Sequence, residues 1–134
     1  MPEVRTTYVT SRIDQEVQVL TFTTKHIQDE KTADAILLEL LELIEHNRSR
    51  KVVIDLQNIK YISSVAFRPL LNIRRKLHEM GGRLVLCGLS SVVGDVFYTT
   101  KLVSADGSFA APFELEPDAT AAIARLNSDE APPR

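Results

Sequence analysis

Two adjacent hydroxyls, Ser63 and Ser64, follow an aliphatic stretch that ends in an acid, Val52-Val53-Ile54-Asp55, and they stand where a helical apolar pattern begins. Hydroxyls at a helix start have two uses. One is capping, in which the side-chain oxygen accepts a hydrogen bond from one of the free backbone N–H groups of the first turn. The other is to carry an anion. A phosphate on one serine would lie at the positive end of the helix dipole, favourable by roughly 0.3–1 kcal/mol. It would also add about -1.5 to -2 charges to a surface that a partner must contact closely. Arg68 lies four residues after Ser64. On a helix that spacing puts both on one face, so Arg68 is placed to pair with such a phosphate or with an acid on a partner.

Little else in the chain suggests chemistry. His26, His46 and His78 fall in a loop, a helix end and a helix, and none is spaced with a second ligand for a metal. The single cysteine, Cys87, lies in an apolar run and reads as a small buried hydrophobe. Gly81-Gly82 follows a helix instead of opening one, so no phosphate-binding loop is present. Asp55 has no second acid or base beside it in sequence. Without an acid–base or nucleophile–base pair, enzyme activity is not expected, and no cofactor is implied.

Positioning the serine pair requires a scaffold, and the periodicities supply one. Tyr8–Ile13 and Val17–Phe22 read as strands joined by a turn at Asp14-Gln15-Glu16. A helix capped by Asp29 and running to about Asn47 carries Ala33, Ile36, Leu37, Leu40, Leu41 and Ile44 on one stripe, with Asp34, Glu39, Glu42 and Glu45 toward water. Lys51–Leu56 and Arg83–Cys87 are short, near-continuous apolar runs, the pattern of strands buried on both faces. Between them a helix is expected from about Ser64 to Met80, stopped by Gly81-Gly82. A short helix capped by Ser90 or Ser91 should reach about Thr100, a strand is expected near Phe109–Phe113, and Pro117-Asp118 opens a last helix to Leu126. The alternation predicts an α/β fold: a mixed, mostly parallel sheet of four to five strands against about four helices. One domain spans 6–127, with residues 1–5 and 128–134 as flexible tails.

Composition is that of an ordinary globular domain. The chain has 134 residues, 44% hydrophobic and 25% charged, with a net charge of -2, which offers no electrostatic attraction to nucleic acid. No apolar run approaches the roughly 18 residues of a membrane span, and no signal core opens the chain, so a cytoplasmic protein is expected. The edge of the opening hairpin is a place where two copies could share a sheet and form a homodimer.

The stretch from Val52 onward resembles the STAS domain family of anti-sigma-factor antagonists. The resemblance rests on an aliphatic strand ending in Asp55-Leu56, then Tyr61-Ile62-Ser63-Ser64-Val65-Ala66-Phe67-Arg68-Pro69-Leu70-Leu71, a helix closed by Gly81-Gly82, the strand Arg83–Cys87, and Ser90 to Phe97. It implies the STAS fold and a partner that is an anti-sigma factor and a serine kinase of the GHKL type. Phosphorylation of the residue aligned with Ser64 then releases the pair. It places Ser63, Ser64, Ala66 and Arg68 on the partner-binding surface, with Asp55 in support. Two positions depart from the family pattern. Ala66 replaces a glycine and adds a methyl where a kinase would approach. Pro69 falls about five residues into the expected helix, where its missing N–H and its ring crowd the preceding turn unless the helix starts later. The alternative they motivate is a STAS scaffold or ligand-binding module that is never phosphorylated, in a larger regulatory assembly or a lipid-transport complex.

Overall fold

In a computed structural model the described residues are 4–5, 8–99 and 113–128. They form strands β1 (Val4–Arg5), β2 (Val9–Asp14), β3 (Val17–Phe22), β4 (His26–Ile27), β5 (Lys51–Asp55), β6 (Tyr61–Ile62), β7 (Arg83–Cys87) and β8 (Glu114–Glu116). The helices are α1 (Glu30–Asn47), α2 (Phe67–Glu79), α3 (Ser91–Thr99) and α4 (Ala119–Leu126), with a 3-10 turn at Ser64–Ala66 leading into α2. Among these residues one mixed sheet runs β1-β2-β3-β5-β7-β8. β1, β2 and β3 are antiparallel neighbours, and the pairs β3–β5, β5–β7 and β7–β8 are parallel. The expected α/β class is the observed one. The short β1 pairs Val4 and Arg5 with Ser11 and Thr10, so it takes in two residues assigned from sequence to the N-terminal tail and occupies part of the hairpin edge expected to serve a second copy.

The sheet has two unlike faces because strand side chains alternate. Val9, Leu20, Phe22, Val52, Ile54, Leu84 and Leu86 meet α1, α2 and α3. Val17, Val19, Val53, Val85 and Cys87 meet Ala122, Ile123 and Leu126 of α4. Buried Gln18 faces α1, where its amide donates to the Leu43 carbonyl at 3.1 Å and to the Ser11 hydroxyl at 3.0 Å. The hairpin turn takes positive φ at Gln15 (52°) and Glu16 (69°), without the glycine or asparagine that usually accepts it. Asn127 at the end of α4 donates to the Gln15 carbonyl at 2.9 Å and braces it.

Several boundaries differ from the sequence expectation. Asp29 holds the N-cap position of α1 in extended conformation but makes no side-chain cap. Asp118, by contrast, caps α4 through the Ala121 N–H at 2.8 Å. Among the described residues the last strand is Glu114–Glu116; of the strand expected near Phe109–Phe113, residues 109–112 lie outside the described residues, and Phe113 precedes Glu114, buried edge-to-face against Phe97 in the core. Strand character at Glu114–Glu116 is masked in sequence by two acids, which the fold matches with arginines. Glu114 accepts from Arg83 and Arg125, and Glu116 from Arg125 at 2.6 Å.

Candidate functional site

The serine pair sits at the carboxyl end of the sheet, on a connection held at both ends. β6 pairs in parallel with β4, setting His26 against Tyr61 and Ile27 against Ile62. The Ser63 N–H then donates to the Ile27 carbonyl at 2.9 Å, and the Ser63 hydroxyl to the Gln28 carbonyl at 3.3 Å. Ser63 is therefore tied to the segment that enters α1. It occupies the N-cap position of the 3-10 turn but caps nothing with its side chain. Ser64 behaves differently. It is exposed, and among the described residues its hydroxyl has no hydrogen-bond partner. Of the two uses open to hydroxyls at a helix start, neither serine adopts side-chain capping.

The 3-10 turn accounts for both family departures. Ala66 is 1% exposed and packs into the core beneath the turn, so the expectation that it lies on a partner-binding surface is corrected: its methyl points away from any approaching protein. The α-helix proper begins at Phe67 instead of Ser64, which puts Pro69 in its first turn. There the N–H that proline lacks has no α-helical partner in any case, and the fixed φ suits the helix.

Arg68 is exposed at the start of α2, one helical turn beyond Ser64. Its Nη2 donates to Asp34 Oδ1 on α1 at 3.0 Å, and the two side chains keep 51% and 65% of their exposure. The helical pattern places Asp34 only on the solvated face, because a partner 34 positions away leaves no local signal. α1 also packs against the 3-10 turn itself. The site thus brings together Ser63, Ser64, Arg68 and Asp34.

Asp55 lies below, 6% exposed, where the register sets Thr21, Asp55 and Cys87 side by side across β3, β5 and β7. Its Oδ1 accepts the Gln57 N–H at 3.0 Å, which fixes the first turn of the connection that leads to β6. Burial pushes the carboxyl above its usual range, opposed by the Gln57 N–H and by a hydrogen bond from the Cys87 thiol. The same burial, with the Asp55 charge beside it, pushes the thiol up to about 12, so Cys87 stays protonated. Gly88 completes the corner: at φ 73° an added Cβ would come 2.5 Å from Asp55 Oδ1. Asp55 is closed off from solvent, and what it holds is the turn that leads to β6. Among the described residues no cluster of three or more metal-ligating side chains occurs, and no helix is long and apolar enough to cross a membrane.

A strand ending in a buried acid, a short parallel clamp and an exposed serine on a tight turn form one arrangement, and residues 8–110 match the family model described as STAS domain. The chain belongs to the STAS domain family. Over 55 residues it is 40% identical to BtrV of Bordetella bronchiseptica, named as a candidate anti-sigma factor antagonist; the match spans 41% of this chain and about half of BtrV, 47%. An anti-sigma factor antagonist from Mycobacterium paratuberculosis superposes with a TM-score of 0.74 at 19% identity, over 90% of this chain and 93% of that one. The anti-sigma factor antagonist SpoIIAA in its unphosphorylated form gives a TM-score of 0.67 at 17% identity, over 88% and 95%. At these identities the two structures share the STAS fold with this chain.

Proposed function

We propose that this STAS domain is an anti-sigma factor antagonist: a non-catalytic, cytoplasmic regulatory module whose Ser64 surface binds an anti-sigma factor that is also a serine kinase of the GHKL type. Phosphorylation of Ser64 would end that complex. The folding unit is taken as residues 6–127. The observation that carries the reading is the difference between the two serines: Ser63 is spent on the Gln28 carbonyl, whereas Ser64 offers an exposed hydroxyl, unengaged among the described residues, at the start of a helical turn. The relatives named as anti-sigma factor antagonists, and the description of one of them by its phosphorylation state, support the same assignment. Burial of Ala66 and the late start of α2 remove the two obstacles that the sequence raised.

Intact-mass and phosphopeptide analysis of the protein from its own cells tests this, alongside pull-down with Ser64→Ala and Ser64→Glu. One phosphate on Ser64, with binding kept by Ser64→Ala and lost by Ser64→Glu, is the expected result. Unmodified protein in a stable assembly, with both variants bound equally, would overturn the switch and leave a STAS scaffold.

A further inference from the structure

Arg68 has two acidic claimants available to it in turn, and only one is present in the unmodified protein. Its guanidinium reaches α1 and holds Asp34 by one hydrogen bond at 3.0 Å, with both side chains half exposed or more. A pair of this kind is screened by water and worth little, so a stronger acceptor displaces it readily. Ser64 stands one helical turn before Arg68, with the intervening Ala66 (φ -71°, ψ -19°) and Phe67 (φ -71°, ψ -29°) both in right-handed helical conformation. The 3-10 turn winds tighter than an α-helix, so Arg68 is rotated partly past Ser64, but its side chain is long enough to span the single turn between them. A phosphate brings about -1.5 to -2 charges and three acceptor oxygens, against the single charge of a carboxylate, and arginine binds it in a fork. Neither helix start near the site is capped by its own N-cap side chain, at Asp29 or at Ser63, which further favours negative charge there.

We propose that Arg68 is an exchange residue: paired with Asp34 while Ser64 is free, and transferred to the phosphate once Ser64 is modified. The transfer leaves Asp34 without its cation. Leu38, one turn along α1 from Asp34 and 61% exposed, then borders an uncompensated carboxylate instead of an ion pair. Modification of a residue on the turn thereby alters the surface of a different helix. This rests on the reading of Ser64 as the modified residue, and it adds the route by which the charge is felt on α1.

The test is made on full-length protein with phosphoserine incorporated at position 64 during translation, so that no kinase or partner is needed. The second ionisation of the phosphate is followed by phosphorus NMR in the parent, in Arg68→Gln, in Asp34→Asn and in the double variant. Free phosphoserine titrates near pH 6. Loss of Arg68 is expected to raise the titration by about half a unit, since an exposed cation gives less than a buried one. Asp34→Asn should lower it by a similar amount while Arg68 is present and by clearly less in the Arg68→Gln background, because competition for the guanidinium has gone. Arg68→Lys should recover part of the shift.

Titration unmoved by Arg68→Gln, or an Asp34→Asn effect equal in both backgrounds, would overturn the exchange. Those outcomes would leave the proposed function untouched. Absence of phosphate on Ser64 in cells would do the reverse.

Discussion

Arginine meets carboxylate at two sites in this molecule that differ in everything that matters physically: the β7–β8 edge and the gap between α1 and α2. At the β7–β8 edge, Arg83 grips Glu114 through both Nε and Nη2, Arg125 of α4 adds a second donor to Glu114, and Arg125 also holds Glu116. The side chains there are 18–37% exposed. Between α1 and α2, Arg68 holds Asp34 by one bond in open solvent. The first is a fastening: a short strand made mostly of acids joins the sheet because two guanidinium groups meet it. The second is a latch, strong enough to choose a rotamer and weak enough to release. A fork with several donors and little water favours permanence; a single contact between half-exposed side chains favours exchange.

The comparison breaks most visibly at Glu114. Glu114→Ala leaves Arg83 without its bidentate acceptor and Arg125 with Glu116 alone, and should cost about 2 kcal/mol by urea unfolding. A loss no larger than that of the exposed pair would show the edge cluster to be ornamental.

Asp55 sharpens the contrast next, as a carboxylate with even less water that takes its hydrogen bonds from an amide and a thiol, with the charges of Arg12 and Asp118 also acting on it. Its folded-state titration is raised, chiefly by burial, so the folded protein holds that proton to higher pH than the unfolded chain does. The contribution to stability is therefore greatest in acid and is lost as pH rises from the ordinary value of 3.8 through the raised one. Asp55→Asn keeps an acceptor for the Gln57 N–H and should gain on the parent as pH rises through that window, then run parallel to it. A constant difference across pH, read from unfolding curves, would show that the carboxyl is not perturbed.

The smallest effect belongs to the latch. Arg68→Ala should change stability by less than about 0.5 kcal/mol, and moderate salt should erase its coupling to Asp34 in a double-mutant cycle. A larger or salt-resistant coupling would make the pair a fastening after all and remove the basis for exchange.

Much of the fold could be read from apolar spacing. Of the stripe, Ala33, Ile36, Leu40 and Ile44 are buried and Leu37 and Leu41 partly so, and the runs ending at Asp55 and Cys87 are central strands. Leu43 is buried too, although acids flank its neighbourhood, and Leu38 is exposed: the stripe is wider on one side than a simple count suggests. β4 and β6 escaped notice because two residues carry no periodicity; their pairing exists only once distant segments meet. The serine site was located by its residue types, yet the division of labour between Ser63 and Ser64 depends on the Gln28 carbonyl, 35 residues away. Pro69 was the one local clue to the late helix start, and Ala66 turned inward for a reason that lies in the turn geometry and not in its identity.

The sealed thiol has a practical consequence. Cys87 is the sole cysteine of the chain, 0% exposed in the middle of the sheet, and its ionisation is pushed to about 12. A thiol reagent meets two barriers there, exclusion and protonation, and both vanish together when β7 separates from its neighbours. The wild-type molecule therefore carries a built-in clock for the opening of its own centre, and the rate at which one alkyl group is gained reads that opening without an introduced probe.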